Sequence, residues 1–147
     1  MSRDNDYISV RTGKGLHTEI SVNGHTLVAD EPKNLGGTGA GPDPYGYLVS
    51  ALGACTAMTL RMYADRKGWS LDSVTVRLEH QKVHAKDCES CETENGKLDR
   101  IGLDIELEGD LEEDQREKLL EIAAKCPVHR TLTSETLIEF TPAGERA

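Results

Sequence analysis

The sequence predicts an α+β domain made of antiparallel strands and segregated helices. Three observations carry that prediction. Residues 7–28, 71–83 and 98–107 alternate apolar with polar side chains, as half-buried strands do. Residues 44–67 hold a long apolar run at helical spacing, and residues 110–125 hold a second, amphipathic one that ends before Pro127. The order read from the chain is β-β-β-α-β-β-α-α-β, and its 147 residues suit one domain over 1–147 with a loose tail at 141–147.

Tyr7–Arg11, Leu16–Val22 and His25–Ala29 read as three short strands. Between the last two, Asn23–Gly24 is the pair that a two-residue hairpin turn demands, because both tolerate positive φ. Asp30–Pro44 is too rich in Gly and Pro for regular structure, and reads equally as a linker or as a loop lining a pocket. Asp43 and Pro44 form an N-cap and first-turn pair for a helix from Pro44 to Lys67 that stops at Gly68. Leu48, Leu52, Cys55, Thr59 and Met62 share one face; Val49, Ala51, Ala54, Ala57 and Met58 widen it, so the helix is expected to be buried nearly all round.

Leu71–Val83 and Leu98–Leu107 read as strands flanking a polar segment, Ala85–Lys97. A second helix is expected from Asp110, with Leu111, Leu119, Leu120, Ile122 and Ala123 facing inward; Glu112 to Asp114 suit its solvated first turn. Pro127 ends it near Lys125, a short helix follows over Val128–Ser134, and Glu135–Phe140 reads as a last strand. His17 and His25 are expected on exposed strand faces.

The net charge of −9, from 17 basic and 26 acidic residues, argues against nucleic acid or an anionic membrane as partner, since both need clustered Lys and Arg. No apolar segment reaches the roughly 18 residues that span a bilayer, and the polar start Met1–Asp6 has no signal-peptide core behind it. A cytoplasmic location is therefore expected, where four cysteines read as reactive thiols or metal ligands.

Cys126 sits at a helix junction, before Pro127 and close to His129 and Arg130, all features that favour a thiolate. Cys55 lies in an apolar helix with no cation within one turn, and Arg61 is on another face. Local chemistry alone therefore favours Cys126 as the reactive thiol and leaves Cys55 open between nucleophile and packing residue.

Gly41–Pro42–Asp43–Pro44–Tyr45, Ser50–Ala51–Leu52–Gly53–Ala54–Cys55 and, about seventy residues later, Cys126–Pro127–Val128 resemble the OsmC/Ohr group of thiol peroxidases over most of the chain. Ala57–Tyr63 and the segment around Cys88 place the resemblance in a less characterised OsmC-like branch. The resemblance implies an OsmC-like fold, with antiparallel sheets packed on a long central buried helix in an intertwined homodimer. It implies that Cys55 is the peroxidatic thiol and Cys126 the resolving one. Cys55 then attacks a small apolar hydroperoxide, Cys126 closes a disulfide, and an external dithiol resets the pair with no cofactor required. Members of the group activate the thiol with an Arg before the helix and a Glu early in it. Here Tyr45–Gly46–Tyr47 follow Pro44, the Gly-rich loop has Lys33 but no Arg, and Arg11, His129 and Arg130 are the candidate substitutes.

Cys88 and Cys91 form a Cys-x-x-Cys pair with His84 upstream, and His80 lies on the same strand parity as His84. Three readings stand: accessory thiols in an exposed loop, zinc held by His84, Cys88 and Cys91, or a dithiol redox pair. The functional expectation is a thiol-dependent hydroperoxide reductase. The competing expectation is a non-peroxidatic relative that binds a small apolar ligand, or a metal at the His84/Cys88/Cys91 loop.

Overall fold

A computed structural model describes residues 7–143. Its contacts cluster into two units, Met1–Ser50 and Ala51–Ala147. The order is β1 (Ser9–Thr12), β2 (Thr18–Val22), β3 (His25–Ala29), α1 (Pro44–Lys67), β4 (Ser70–His84), β5 (Lys97–Asp110), α2 (Glu113–Ala123) and α3 (Pro127–Leu132).

In the N-terminal unit β1, β2 and β3 form an antiparallel sheet in sequence order. Asn23 (φ 49°) and Gly24 (φ 79°) make the left-handed turn expected of that pair. The Gly-rich segment after β3 is an ordered loop wound on Asp30, which is only 2% exposed. The Asp30 carboxylate accepts hydrogen bonds from the Glu31, Thr38 and Ala40 amides and from the Thr38 hydroxyl. Led by the Thr38 hydroxyl, these donors hold its pKa at about 2, against the opposing effect of burial. Gly37 and Gly41 are required by close approach, because a Cβ on either would collide with the Glu31 or Val28 carbonyl.

Asp43 caps α1 as expected, its carboxylate accepting the Gly46 amide at 2.8 Å. The 24-residue helix ends before Gly68, whose φ of 71° suits the left-handed stop. Its buried positions, however, are Leu52, Gly53, Thr56, Leu60 and Ala64. The inward stripe thus runs through Leu52, Thr56, Leu60 and Ala64, rather than through the expected Leu48, Cys55 and Met62. Leu48, Met58 and Met62 are 40%, 64% and 71% exposed, so within one chain the helix is covered on one side only. The β4–β5 ribbon and α2 pack on the Leu60–Ala64 side of the helix and leave Met58 and Met62 uncovered.

In the C-terminal unit, β4 and β5 pair antiparallel along their length, from Ser70 opposite Asp110 to His84 opposite Lys97, with a bulge between Leu71 and Ser73. Gly53 lies where a Cβ would be 2.6 Å from Leu78 Cδ1, so α1 packs tightly on β4. Leu60, Ala64, Leu71, Leu119, Ile122 and Ala123 form the core, with Trp69, Val74, Ile105, Leu107 and Leu111 against it. Leu60 and Leu119 are fully buried, and each such side chain contributes roughly 1.5–3 kcal/mol by leaving water.

Three expectations need correction. The second helix begins at Glu113 rather than Asp110, because β5 continues to Asp110 and Glu112 forms a reciprocal capping box with Gln115. Leu120 is half exposed rather than inward, since the helix turns Leu119 and Ile122 to the core. Glu135–Phe140 is not a strand: the segment has no ladder partner among the described residues, and Leu137, Ile138 and Phe140 are 82%, 72% and 94% exposed. The expected loose tail lies outside the described residues from residue 144 onward, as does the polar start before residue 7.

Candidate functional site

Cys55 and Cys126 come together from α1 and the junction of α2 with α3. Cys126 is the N-cap of α3 and Pro127 is its first residue, so the sequence signals at that junction are realised. Cys126 is fully buried, whereas Cys55 is partly exposed, and both are free thiols. The Cys126 sulfur accepts the His129 amide at 3.2 Å, and the Thr56 hydroxyl lies 3.9 Å from it.

Burial opposes ionisation of Cys126, yet its pKa lies below the ordinary thiol value. The His129 amide, the Cys55 thiol, the Thr56 hydroxyl and the Val128 amide together outweigh the loss of solvation.

The candidate activating cations are placed differently from expectation. His129 contributes its backbone amide, not an imidazole contact, to the sulfur. Arg130 is exposed, and it is its backbone that bonds Cys126 and Ser134. Arg11 lies on exposed β1 in the N-terminal unit. Arg61 ties α1 to β4, donating to Asp65 and to the Leu71 and Asp72 carbonyls.

Thr56 is the site residue the sequence reading missed. Its signal was a hydroxyl next to Cys55 inside an apolar helix, where it also bonds the Leu52 carbonyl at 2.8 Å. A hydroxyl has one proton. When it donates to Leu52, its lone pairs can receive a Cys126 S–H; when Cys126 is ionised, it can turn and donate to the sulfur.

A cleft of 810 Å³ is lined by the apolar side chains of Met62, Tyr63, Ile122 and Pro127 together with Thr59 and the charged Asp65, Arg66 and Lys125. Thr59 is one helical turn beyond Cys55, and Pro127 follows Cys126.

The model of the family described as OsmC-like protein matches residues 37–141. The chain belongs to the OsmC-like family. Its fold is similar to that of an OsmC-like protein from Mycoplasma pneumoniae (20% identity, 89% of each chain covered, TM-score 0.69). It is also similar to the organic hydroperoxide resistance protein OsmC of Legionella pneumophila (21% identity, 90% of this chain and 92% of that one, TM-score 0.63). The organic hydroperoxide resistance protein OhrB of Bacillus subtilis shares it too (15% identity, 86% and 89% covered, TM-score 0.60). No curated protein matches the chain by sequence. No helix among the described residues of this OsmC-like chain is long and apolar enough to cross a membrane.

The second cysteine pair of this OsmC-like chain lies past the end of β4. Cys88 and Cys91 are joined as a disulfide. No group of three or more His, Cys, Asp or Glu side chains among the described residues is disposed to hold a metal. His80, the expected helper of His84, instead meets Asp99 at 2.8 Å.

Proposed function

We propose that this OsmC-like chain is a thiol-dependent reductase of organic hydroperoxides, acting through Cys55 and Cys126. The observation that carries this reading is a buried Cys126 sulfur that accepts the His129 amide at 3.2 Å and lies 3.9 Å from the hydroxyl of Thr56, the residue next to the partly exposed Cys55. The names of the similar folds, organic hydroperoxide resistance proteins among them, support it.

The chemistry closes with the chain's own groups. Cys126 as thiolate takes the proton from Cys55. The Cys55 thiolate attacks the outer oxygen of ROOH, forming Cys55–SOH and releasing RO⁻, which takes the proton back from Cys126 as ROH. The Cys126 thiolate then attacks the sulfenic sulfur, forming the disulfide and releasing hydroxide. An external dithiol returns two electrons by exchange. In this reading the Thr56 hydroxyl and the His129 amide do the work that an Arg and a Glu do in relatives. The cleft at Met62 and Tyr63 takes the apolar substituent of the hydroperoxide.

A second copy of the chain is the partner in this reading. Met58 and Met62 on α1, with Leu137, Ile138 and Phe140 near the C-terminus, are large apolar side chains left in solvent by one chain.

The test is to add cumene hydroperoxide to the reduced protein and follow peroxide and thiols together. One equivalent of peroxide should disappear as the Cys55–Cys126 disulfide forms, Cys55→Ser should consume none, and Cys126→Ser, which lacks both the base and the resolving thiol, should react more slowly and stall at a sulfenic acid trappable by dimedone. Binding of the apolar compound without its consumption, with both thiols still free, would instead select the non-peroxidatic reading.

A further inference from the structure

The disulfide between Cys88 and Cys91 lies outside the thiol site, in the segment joining β4 to β5. Stapling the hairpin does not account for it. The β4–β5 ladder runs in register to His84 opposite Lys97, and the Ala85 amide closes it on the Gly96 carbonyl at 2.8 Å. The disulfide spans a sequence separation of 3 inside the turn beyond that ladder, and so short a ring constrains the unfolded chain least.

Both sulfurs are partly exposed and border a cleft of 840 Å³ whose walls include Val83, Leu98 and Arg100. A cleft with an apolar wall ending on an accessible disulfide is a place for a small thiol to dock and react. The charges around it select which one. Asp87 and Glu89 line the cleft and Glu92 follows Cys91, whereas Arg100 is engaged by Glu79 at 3.1 Å. Asp99 is held by Lys82 and His80. The charged side chains lining the cleft are three acids, Asp87, Glu89 and Asp99, against the single cation Arg100, so its lining is net negative, which disfavours an anionic thiol.

We propose that Cys88–Cys91 is a second redox centre of this chain, a disulfide that exchanges with small uncharged dithiols and is independent of Cys55 and Cys126. A thiolate of the dithiol attacks Cys91 Sγ, forming a mixed disulfide and breaking the Cys88–Cys91 bond. Cys88 leaves as thiolate and takes a proton from solvent. The Ser90 hydroxyl, 3.9 Å from Cys88 Sγ, is placed to donate to that leaving sulfur. The second thiol of the dithiol then attacks its own mixed-disulfide sulfur and releases Cys91. The dithiol is oxidised by two electrons to its cyclic disulfide and the Cys88–Cys91 pair is reduced by two.

The test uses the full-length Cys55→Ser chain, in which a Cys55–Cys126 disulfide cannot form. Folded protein is mixed with dihydrolipoamide or dihydrolipoate, which share the dithiol and differ in charge. Samples are quenched with acid, alkylated, and the peptide carrying Cys88 and Cys91 is weighed. Both cysteines should become alkylated together, at least several-fold faster with the neutral dithiol, and 0.5 M salt should narrow the gap. Ser90→Ala should slow the reaction several-fold; an unchanged rate overturns Cys88 as the leaving sulfur. A disulfide reduced only once urea has unfolded the chain overturns the redox centre, as does a pair isolated reduced and shielded from alkylation by zinc. Equal or faster reaction with dihydrolipoate overturns the proposed substrate class.

Discussion

The Thr56 hydroxyl faces the Cys126 sulfur at 3.9 Å from the neighbouring helix, while bonding the Leu52 carbonyl of its own helix at 2.8 Å. A single hydroxyl proton therefore couples the ionisation of a buried thiol to a backbone carbonyl one turn away. Thr56→Val keeps the shape and removes that proton. The Cys126 sulfur then keeps the His129 amide but loses a donor in a low-dielectric setting, where donors to charge matter most. Its pKa should move upward, and formation of the Cys55–Cys126 disulfide at neutral pH should slow several-fold. Thiolate absorbance near 240 nm against pH, measured in both chains, checks the direction.

The backbone origin of the His129 contact gives a sharper contrast. His129→Ala retains the amide that donates to Cys126, so thiol reactivity should change by less than about twofold, the limit expected for a side chain making no contact there. His129→Pro removes the amide at a first-turn position that otherwise tolerates proline, and should lower reactivity as Thr56→Val does. Arg130→Ala should resemble His129→Ala. Iodoacetamide rates at fixed pH distinguish an amide from a cation as the stabilising group.

Because the folded Cys126 pKa lies below its value in an unfolded chain, the unfolded state binds more protons between the two. Stability should therefore rise with pH through that window, be fully present above the unfolded pKa, and fall away as pH drops through the folded one. Urea midpoints across the alkaline range should show this slope in the parent chain and lose it in Cys126→Ala.

Asp30 gives the acid counterpart. With a folded pKa of about 2, its stabilisation is present above the unfolded carboxylate value of about 3.9 and is lost as pH falls from there toward 2. Asp30→Ala, which removes the carboxylate that accepts the Glu31, Thr38 and Ala40 donors, should lower the melting temperature by several degrees at pH 7, and Asp30→Asn by less. Both differences should shrink below pH 4. Thermal melts at pH 7 and pH 3 check the sign.

Where local chemistry was sufficient, the fold was legible. Asn23–Gly24 and Asp43–Pro44 each admit few backbone geometries, and both turned out as read. Cys126–Pro127 likewise announced a cap, because proline suits a first helical turn. The orientation of α1 was not legible in the same way. Apolar residues surround it, so periodicity could not say whether Cys55 or Thr56 faced the core, and packing on β4 at Gly53 decided it. Asp30 was hidden for a related reason: its partners are amides of a loop whose conformation no spacing rule specifies. Glu135–Phe140 read as a last strand, yet a strand-like composition does not supply a partner edge.

Leu119 and Phe140 separate the two kinds of apolar side chain. Leu119 is fully buried within one chain, so Leu119→Ala should destabilise it by about 3 kcal/mol, as core truncations do. Phe140 is 94% exposed in one chain, and truncating an exposed side chain should cost a single chain almost nothing. If a second copy covers the surface around Leu137 and Phe140, Phe140→Ser instead acts on association: it should leave the unfolding of the monomer unchanged while weakening the dimer at least tenfold. Sedimentation velocity across a dilution series, with urea melts at the lowest concentration, reads both quantities. A parent chain that sediments as a monomer at every concentration would show that no second copy sits there, leaving Leu137, Ile138 and Phe140 as a surface that a single chain tolerates.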